Sequence, residues 1–368
     1  MKFIFLIPGL RSGGAERVMA TLANNFVNRG SFVKIITFTD EESYFPLDGR
    51  VILDGMGQMP DRSDRIKFIS TLPAVVCRRF FHIAWTIRKD NPDAVLSFCN
   101  TANYLNAMQK MLVNRKTVSV ISERSDPERY CRGVQWLCRL LYMHADAVIC
   151  QNRVVKKYFL SIRKKHMPRV MVLPNPVSET SIPDRIVYRK NNYFAAAGRL
   201  VHEKRFDVLI LAFAEFIKIH PEFRLKIYGE GPLRKKLENL VKEKGLEGYV
   251  ELPGSVRDVM KKIQDASCFI LSSEVEGFPN VLLEAMCSGM PVISVRLRTG
   301  IADKLIINGR NGYLTDIGDV DGMCRAMCRI IEKADLGEMS CNNFKIRELY
   351  GESRVSGKWL QALSSIKI

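Results

Sequence analysis

Residues 268–295 read CFILSSEVEGFPNVLLEAMCSGMPVISV. "CFILSS" (268–273) is a short apolar run that suits a buried strand, and "EVEG" is a turn. A helical run starts near Asn280 and stops at Gly289, with Pro291 beyond it. "PVISV" (291–295) is a second apolar run. Strand, turn, helix and strand in this order form the unit of a parallel sheet with crossover helices.

The same alternation extends in both directions. Downstream and upstream lie "YFAAAG" (193–198), "RLKIYG" (224–229), "YVELPG" (249–254) and "GYLT" (312–315), each followed by a helical stretch. An earlier series holds "FIFLI" (3–7), "VKIITF" (33–38), "AVLSF" (94–98), "TVSVIS" (117–122), "AVIC" (147–150) and "RVMVL" (169–173). Between the two series "LPNPVSETSIPDR" (173–185) carries three prolines and reads as a linker. A chain of 368 residues with 47% apolar content supports two domains. The expected boundaries are 1–175, 176–345, and a C-terminal helix 346–368 returning to the first domain. The expected class is α/β, with ligands beyond the carboxyl ends of the strands and a cleft between the domains.

The loops at strand exits therefore carry the candidate chemistry. Glu276 lies in the loop after "CFILSS", and Glu284 about one turn inside the next helix. Gly277 lets backbone approach a ligand, and the amides of Phe278 to Leu282 at the helix start suit phosphates or hydroxyls. Pro279 suits a first helical turn. Two carboxylates at this spacing can hold two sugars of one ligand. In "AAAGRLVHEKRFDVLI" (195–210), Gly198 ends a strand and Arg199 and Lys204 precede a helix. Cations there oppose the helix dipole, which makes sense if a diphosphate neutralises them. "YGEGPLRKKL" (228–237) brings Gly229 and Gly231, and "LPGSVRDV" (252–259) places Val256 where its backbone could meet a base. In "IPGLRSGGAERVM" (7–19), Gly13 and Gly14 open the helix that carries Glu16, so their amides could face an anion. The spacing is not the GxGxxG of dinucleotide binding.

Formal charge is +17, and it is uneven. Residues 1–175 hold 27 Lys/Arg and 14 Asp/Glu, or +13, whereas residues 176–368 hold 29 and 25, or +4. Bases interleave with apolar residues over 65–89 (Arg65, Lys67, Arg78, Arg79, Arg88, Lys89) and 151–170 (Arg153, Lys156, Lys157, Arg163, Lys164, Lys165, Arg169), with no acid in either stretch. Such faces suit an anionic bilayer. The ten cysteines form no CxxC pair and no zinc-like cluster, which fits reduced thiols in a cytoplasm. The six residues "FIFLIP" before the polar "GLRSGGAER" read as a buried strand rather than a leader.

Together these residues resemble the retaining glycosyltransferases of family four, which have the GT-B fold: two doubly wound Rossmann-like domains facing a cleft, with C-terminal helices. The E-x7-E signature is matched by Glu276 to Glu284, and the GR…K element by Gly198, Arg199 and Lys204. "SGGAER" and the Gly-x-Gly-Pro at 229–232 also look like that family. The resemblance implies that Arg199 and Lys204 bind the diphosphate of a UDP-sugar, Glu276 the donor sugar and Glu284 the ribose. It implies that the amides of Phe278, Pro279, Asn280 and Val281 line sugar and phosphate, with Gly14 approaching from the other domain. It implies no metal and no other cofactor. Many relatives have a histidine in the first domain after the strand matching "TVSVIS". Here "ISERSDP" (121–127) has none, and Glu123, Arg124 or Asp126 take its place, with Arg124 the chosen catalytic candidate. The implied acceptor is a lipid-linked bacterial oligosaccharide, of O-antigen or capsule type, extended at the inner face of the cytoplasmic membrane without nucleic acid. Other readings are a nucleotide-sugar epimerase or phosphorylase of the same fold, or a basic nucleic-acid-binding protein.

Overall fold

The computed structural model describes residues 1–57, 65–161, 168–186, 191–333 and 336–366, and the backbone alone for 65–69. Arg163, Lys164 and Lys165 and the side chains of Arg65 and Lys67 thus lie outside the described residues. The chain forms two compact units, Met1–Pro176 with Glu352–Ile368, and Val177–Gly351.

The first unit runs β1 (Lys2–Ile7), α1 (Gly14–Asn28), β2 (Phe32–Thr37), β3 (Ile52–Gly55), α2 (Arg65–Asp90), β4 (Ala94–Phe98), α3 (Asn100–Leu112), β5 (Val118–Glu123), α4 (Arg132–Tyr142), β6 (Ala147–Cys150), α5 (Arg153–Ser161) and β7 (Arg169–Val172). The seven strands order as β3-β2-β1-β4-β5-β6-β7, and their pairings are parallel. Strand order reverses between β1 and β4, the switch point where such sheets bind ligands. The sequence shows six of these strands. It hides β3, because this edge strand leaves Ile52 and Leu53 exposed and so lacks a buried apolar run.

The second unit holds β8 (Asn191–Ala197), α6 (Phe206–Phe216), β9 (Arg224–Tyr228), α7 (Arg234–Glu243), β10 (Val250–Gly254), α8 (Val259–Lys262), β11 (Ala266–Leu271), α9 (Asn280–Cys287), β12 (Val292–Val295), α10 (Ile301–Leu305), β13 (Gly312–Thr315), α11 (Val320–Glu332), α12 (Leu336–Phe344) and α13 (Arg347–Tyr350). Its sheet order, β10-β9-β8-β11-β12-β13, has its own switch point between β8 and β11. Pro253 is tolerated because β10 is an edge strand. Part of the expected linker is ordered: Glu179–Ser181 makes a 3-10 turn, Ile182 is buried, and the Val177 amide donates to the Tyr350 carbonyl at 2.9 Å.

The last helix, α14 (Glu352–Ile366), belongs to the first unit and packs on α1. Its Trp359 is fully buried beside Phe98, with 6.0 Å between ring centroids, and donates its indole N–H to the Pro174 carbonyl at 2.9 Å. Val355, Trp359 and Leu363 complete the core formed by α1 and one face of the sheet. The opposite face is covered by α2 and α3, and further along by α3, α4 and α5.

Candidate active site

In the second unit, the loops after β8 and β11 flank the switch point, and they carry Arg199, Lys204 and Glu276. Lys204 Nζ lies 2.5 Å from Glu276 Oε1, with both side chains largely shielded from solvent. Three further bonds hold the two loops together. Ser272 Oγ donates to the Lys204 carbonyl at 2.7 Å, the Glu274 amide donates to the Glu203 carbonyl at 2.9 Å, and Arg205 pairs with Glu274 at 3.2 Å. Arg205 itself has φ 47°, the left-handed turn that ends the 3-10 helix His202–Lys204 and starts α6. The position of Lys204 is therefore set by the loop backbone. Arg199 is exposed one residue past Gly198.

Two of the glycines around this pair are explained by close approach. Gly229, with φ 147°, has no room for a Cβ, which would overlap the Gly198 carbonyl oxygen. A Cβ on Gly231 would overlap the Leu200 carbonyl oxygen and lie 2.7 Å from its nitrogen. The loop after β9 thus supports the loop after β8 from below. A Cβ on Gly198 would meet the Lys204 stem at 3.4 Å, an ordinary contact, so close approach does not account for this glycine.

Glu284 is buried in α9, the fifth residue of that helix. The row of amides at the helix start is shorter than the sequence pattern predicts. Pro279 caps the helix and has no N–H, and the Asn280 amide donates to the Phe278 carbonyl at 2.9 Å. Phe278 turns its side chain into the core, 6.3 Å from the Tyr350 ring. Gly277 lies between Glu276 and this turn. Val256, after β10, packs partly buried against the core of the unit.

In the first unit, Gly13 precedes α1 and Gly14 opens it. The Glu16 carboxylate folds back over Gly13, so an intramolecular anion already stands at this helix start. At the end of β5 the three candidates of "SERSDP" part company. Glu123 is buried and accepts four hydrogen bonds: Tyr130 hydroxyl at 2.9 Å, Tyr142 hydroxyl at 3.1 Å, and the amides of Arg124 and Ser125 at 3.0 and 3.1 Å. Burial nevertheless pushes its pKa up, outweighing these donors. Asp126 accepts from the Glu128 amide at 3.1 Å and starts a 3-10 turn. Arg124 remains. Its guanidinium lies over the Phe98 ring, 4.2 Å from the centroid, and Nε and Nη1 are buried with no hydrogen-bond partner among the described residues. Burial pushes its pKa down to about 10, so it stays cationic at neutral pH. Cys99, at φ 70° the residue before α3, is held in a strained backbone next to this group, with its thiol pushed up to about 12 by burial. Neither the Glu123 network nor the Cys99 strain has a signal in the sequence, since tyrosines 130 and 142 reach Glu123 only through the fold.

Two family models match the chain: "Glycosyltransferase Family 4" over residues 12–181 and "Glycosyl transferases group 1" over residues 178–345. The chain belongs to the family 4 glycosyltransferases. The transferase is 29% identical, over 100% of its own chain and 99% of the relative, to the GalNAc-alpha-(1->4)-GalNAc-alpha-(1->3)-diNAcBac-PP-undecaprenol alpha-1,4-N-acetyl-D-galactosaminyltransferase of Campylobacter jejuni. It is 26% identical, over 94% of both chains, to that organism's N-acetylgalactosamine-N,N'-diacetylbacillosaminyl-diphospho-undecaprenol 4-alpha-N-acetylgalactosaminyltransferase. Among solved structures, Anabaena HepE in complex with UDP and glucose matches with a TM-score of 0.78 at 19% identity, covering 99% of the transferase and 100% of HepE. The fold of the transferase is therefore GT-B.

Proposed function

We propose that this glycosyltransferase moves a hexose or N-acetylhexosamine from a UDP-sugar to a growing oligosaccharide carried on undecaprenyl diphosphate, with retention of configuration, in bacterial surface-polysaccharide synthesis. The observation that carries the reading is the Lys204–Glu276 pair at the β8/β11 switch point, 2.5 Å apart. The two Campylobacter relatives, whose names specify undecaprenol-linked acceptors, and the UDP and glucose bound by HepE support the choice of acceptor and donor.

In this reading the donor diphosphate takes over Lys204 from Glu276 and adds Arg199. The freed Glu276 carboxylate accepts hydrogen bonds from sugar hydroxyls, and Glu284 from the ribose. The acceptor hydroxyl oxygen bonds to the anomeric carbon from the side the diphosphate leaves. The carbon–oxygen bond to phosphate breaks with its electron pair on the diphosphate, and the hydroxyl proton passes to the departing phosphate oxygen. Arg199 and Lys204 stabilise that developing charge, the part a divalent metal plays in other transferases. In the first unit, Arg124 stands at the sequence position where the family resemblance implies a histidine. The enzyme works at the cytoplasmic face of the membrane, where the lipid-linked acceptor is held.

A thermal-shift panel of nucleotide sugars, with mass analysis of a lipid-linked acceptor incubated with the best donor, tests the reading. One added sugar on the acceptor supports it. Hydrolysis or isomerisation of the donor with no acceptor product refutes it.

A further inference from the structure

Two helices on one side of the first unit expose large apolar side chains that the catalytic reading does not use. On α2, Phe81 and Trp85 are one helical turn apart and 68% and 58% exposed. On α4, Trp136 is 64% exposed, with Leu140 exposed one turn on. Both helices pack against α3, which lies between them on the same face of the sheet. Two of the chain's three tryptophans thus stand in solvent, while the third, Trp359, is fully buried. Single exposed apolar residues are ordinary, but two exposed apolar pairs, on helices that flank α3 on one face of the sheet, mark an interaction surface.

The charge around them selects the partner. Arg78, Arg88 and Lys89 on α2, and Arg132 and Arg139 on α4, are exposed. No Asp or Glu occurs in residues 70–89 or 131–142. Lys89 Nζ lies over the Trp85 ring, 4.7 Å from its centroid, so base and aromatic act at one depth. Tryptophan and phenylalanine beside Lys and Arg, without acids, is the composition of a helix lying at a lipid–water interface. A protein partner would instead need a complementary acidic, aromatic-accepting surface.

We infer that the exposed faces of α2 and α4 together form a docking surface for an anionic lipid bilayer, with Phe81, Trp85, Trp136 and Leu140 entering the headgroup region and the five bases meeting lipid phosphates. This deepens the proposed function, resting on it only for the presence of a membrane-bound acceptor. Sedimentation with phosphatidylcholine–phosphatidylglycerol vesicles tests it. The full chain binds these vesicles, binds phosphatidylcholine alone poorly, and releases at high salt. The Phe81→Ser/Trp85→Ser/Trp136→Ser variant binds roughly tenfold or more weakly, and so does the independent Arg88→Glu/Lys89→Glu variant. Circular dichroism confirms that both are folded. Brominated lipid quenches Trp85 in the Trp136→Phe variant and Trp136 in the Trp85→Phe variant, whereas Trp359 is untouched. Equal binding to neutral vesicles, wild-type binding by either multiple variant, or an unquenched Trp85 and Trp136 overturns the inference. So does a dimer in light scattering that the triple variant abolishes while no vesicle binding is seen, which assigns the surface to a second copy. Transfer to a short water-soluble acceptor is measured on the same samples. Loss of transfer with intact vesicle binding faults the proposed reaction and leaves the surface standing; intact transfer without binding does the reverse.

Discussion

Lys204 and Glu276 neutralise each other, so in the proposed reaction a donor diphosphate competes with the Glu276 carboxylate for the lysine. Lys204 and Glu276 are both largely shielded, so removing either leaves the other with an uncompensated charge. Lys204→Met is expected to lower turnover by about 10²–10³-fold, as loss of one preorganised donor to a leaving group does, and Arg199→Ala to lower it as well. Both keep the wild-type circular dichroism spectrum; near-normal rates in both would remove the diphosphate assignment. Glu276→Gln is expected to impair transfer more than UDP affinity, read by calorimetric titration beside single-turnover rates. Glu123 offers a test of a different kind. Its folded-state pKa is raised by burial above the ordinary value of 4.5. The folded protein therefore binds this proton more tightly than the unfolded chain, and stability from this group is full below that value and is lost as pH climbs through the raised one. Thermal melts should show wild type losing ground to Glu123→Gln as pH rises from 4.5 towards neutrality. A constant difference across that range would mean Glu123 is not held neutral at the low end.

At the level of elements, the loop after β8 is held on two sides, by the β11 loop through Ser272 and Glu274 and by the β9 loop through its glycines. Gly231→Ala forces its new methyl into the Leu200 backbone, and is expected to cost about 1–3 kcal/mol of stability and to reduce transfer by displacing Arg199 and Lys204. Activity falling no further than stability would show that the glycine serves folding alone. The strand-exit loops are readable in the sequence because parallel strands buried on both faces give unbroken apolar runs such as "CFIL", and each such run must end in a turn at the sheet's carboxyl edge. The E-x7-E and GR…K spacing adds the residues. The edge strand β3 is not readable, since its exposed Ile52 and Leu53 resemble loop residues. Nor is the fate of the α9 amides: a proline cap and a Phe278 carbonyl that captures the Asn280 N–H are matters of backbone geometry. The same holds for Glu123, whose tyrosine donors sit 7 and 19 residues away in sequence.

At the scale of the molecule, the chain leaves the first unit at Pro176, builds all of the second, and comes back as α14. Trp359→Ala empties a fully buried site against Phe98 and removes a hydrogen bond to Pro174, and is expected to cost the first unit about 3–5 kcal/mol. Scanning calorimetry of the full chain should show one transition falling while that of the Val177–Gly351 unit stays in place; both falling together would mean the two units unfold as one. The charge asymmetry of the sequence belongs to this same first unit, which also bears the exposed apolar pairs of α2 and α4. The basic half is thus the half with a surface to offer.

The route of the backbone has a consequence for how the protein comes into being. On the ribosome the first sheet emerges well ahead of Val355, Trp359 and Leu363, which follow the whole of the second unit. Until then α1 and Phe98 present an uncovered apolar face to water. A face left uncovered in this way is the kind of transient apolar surface that chaperones bind.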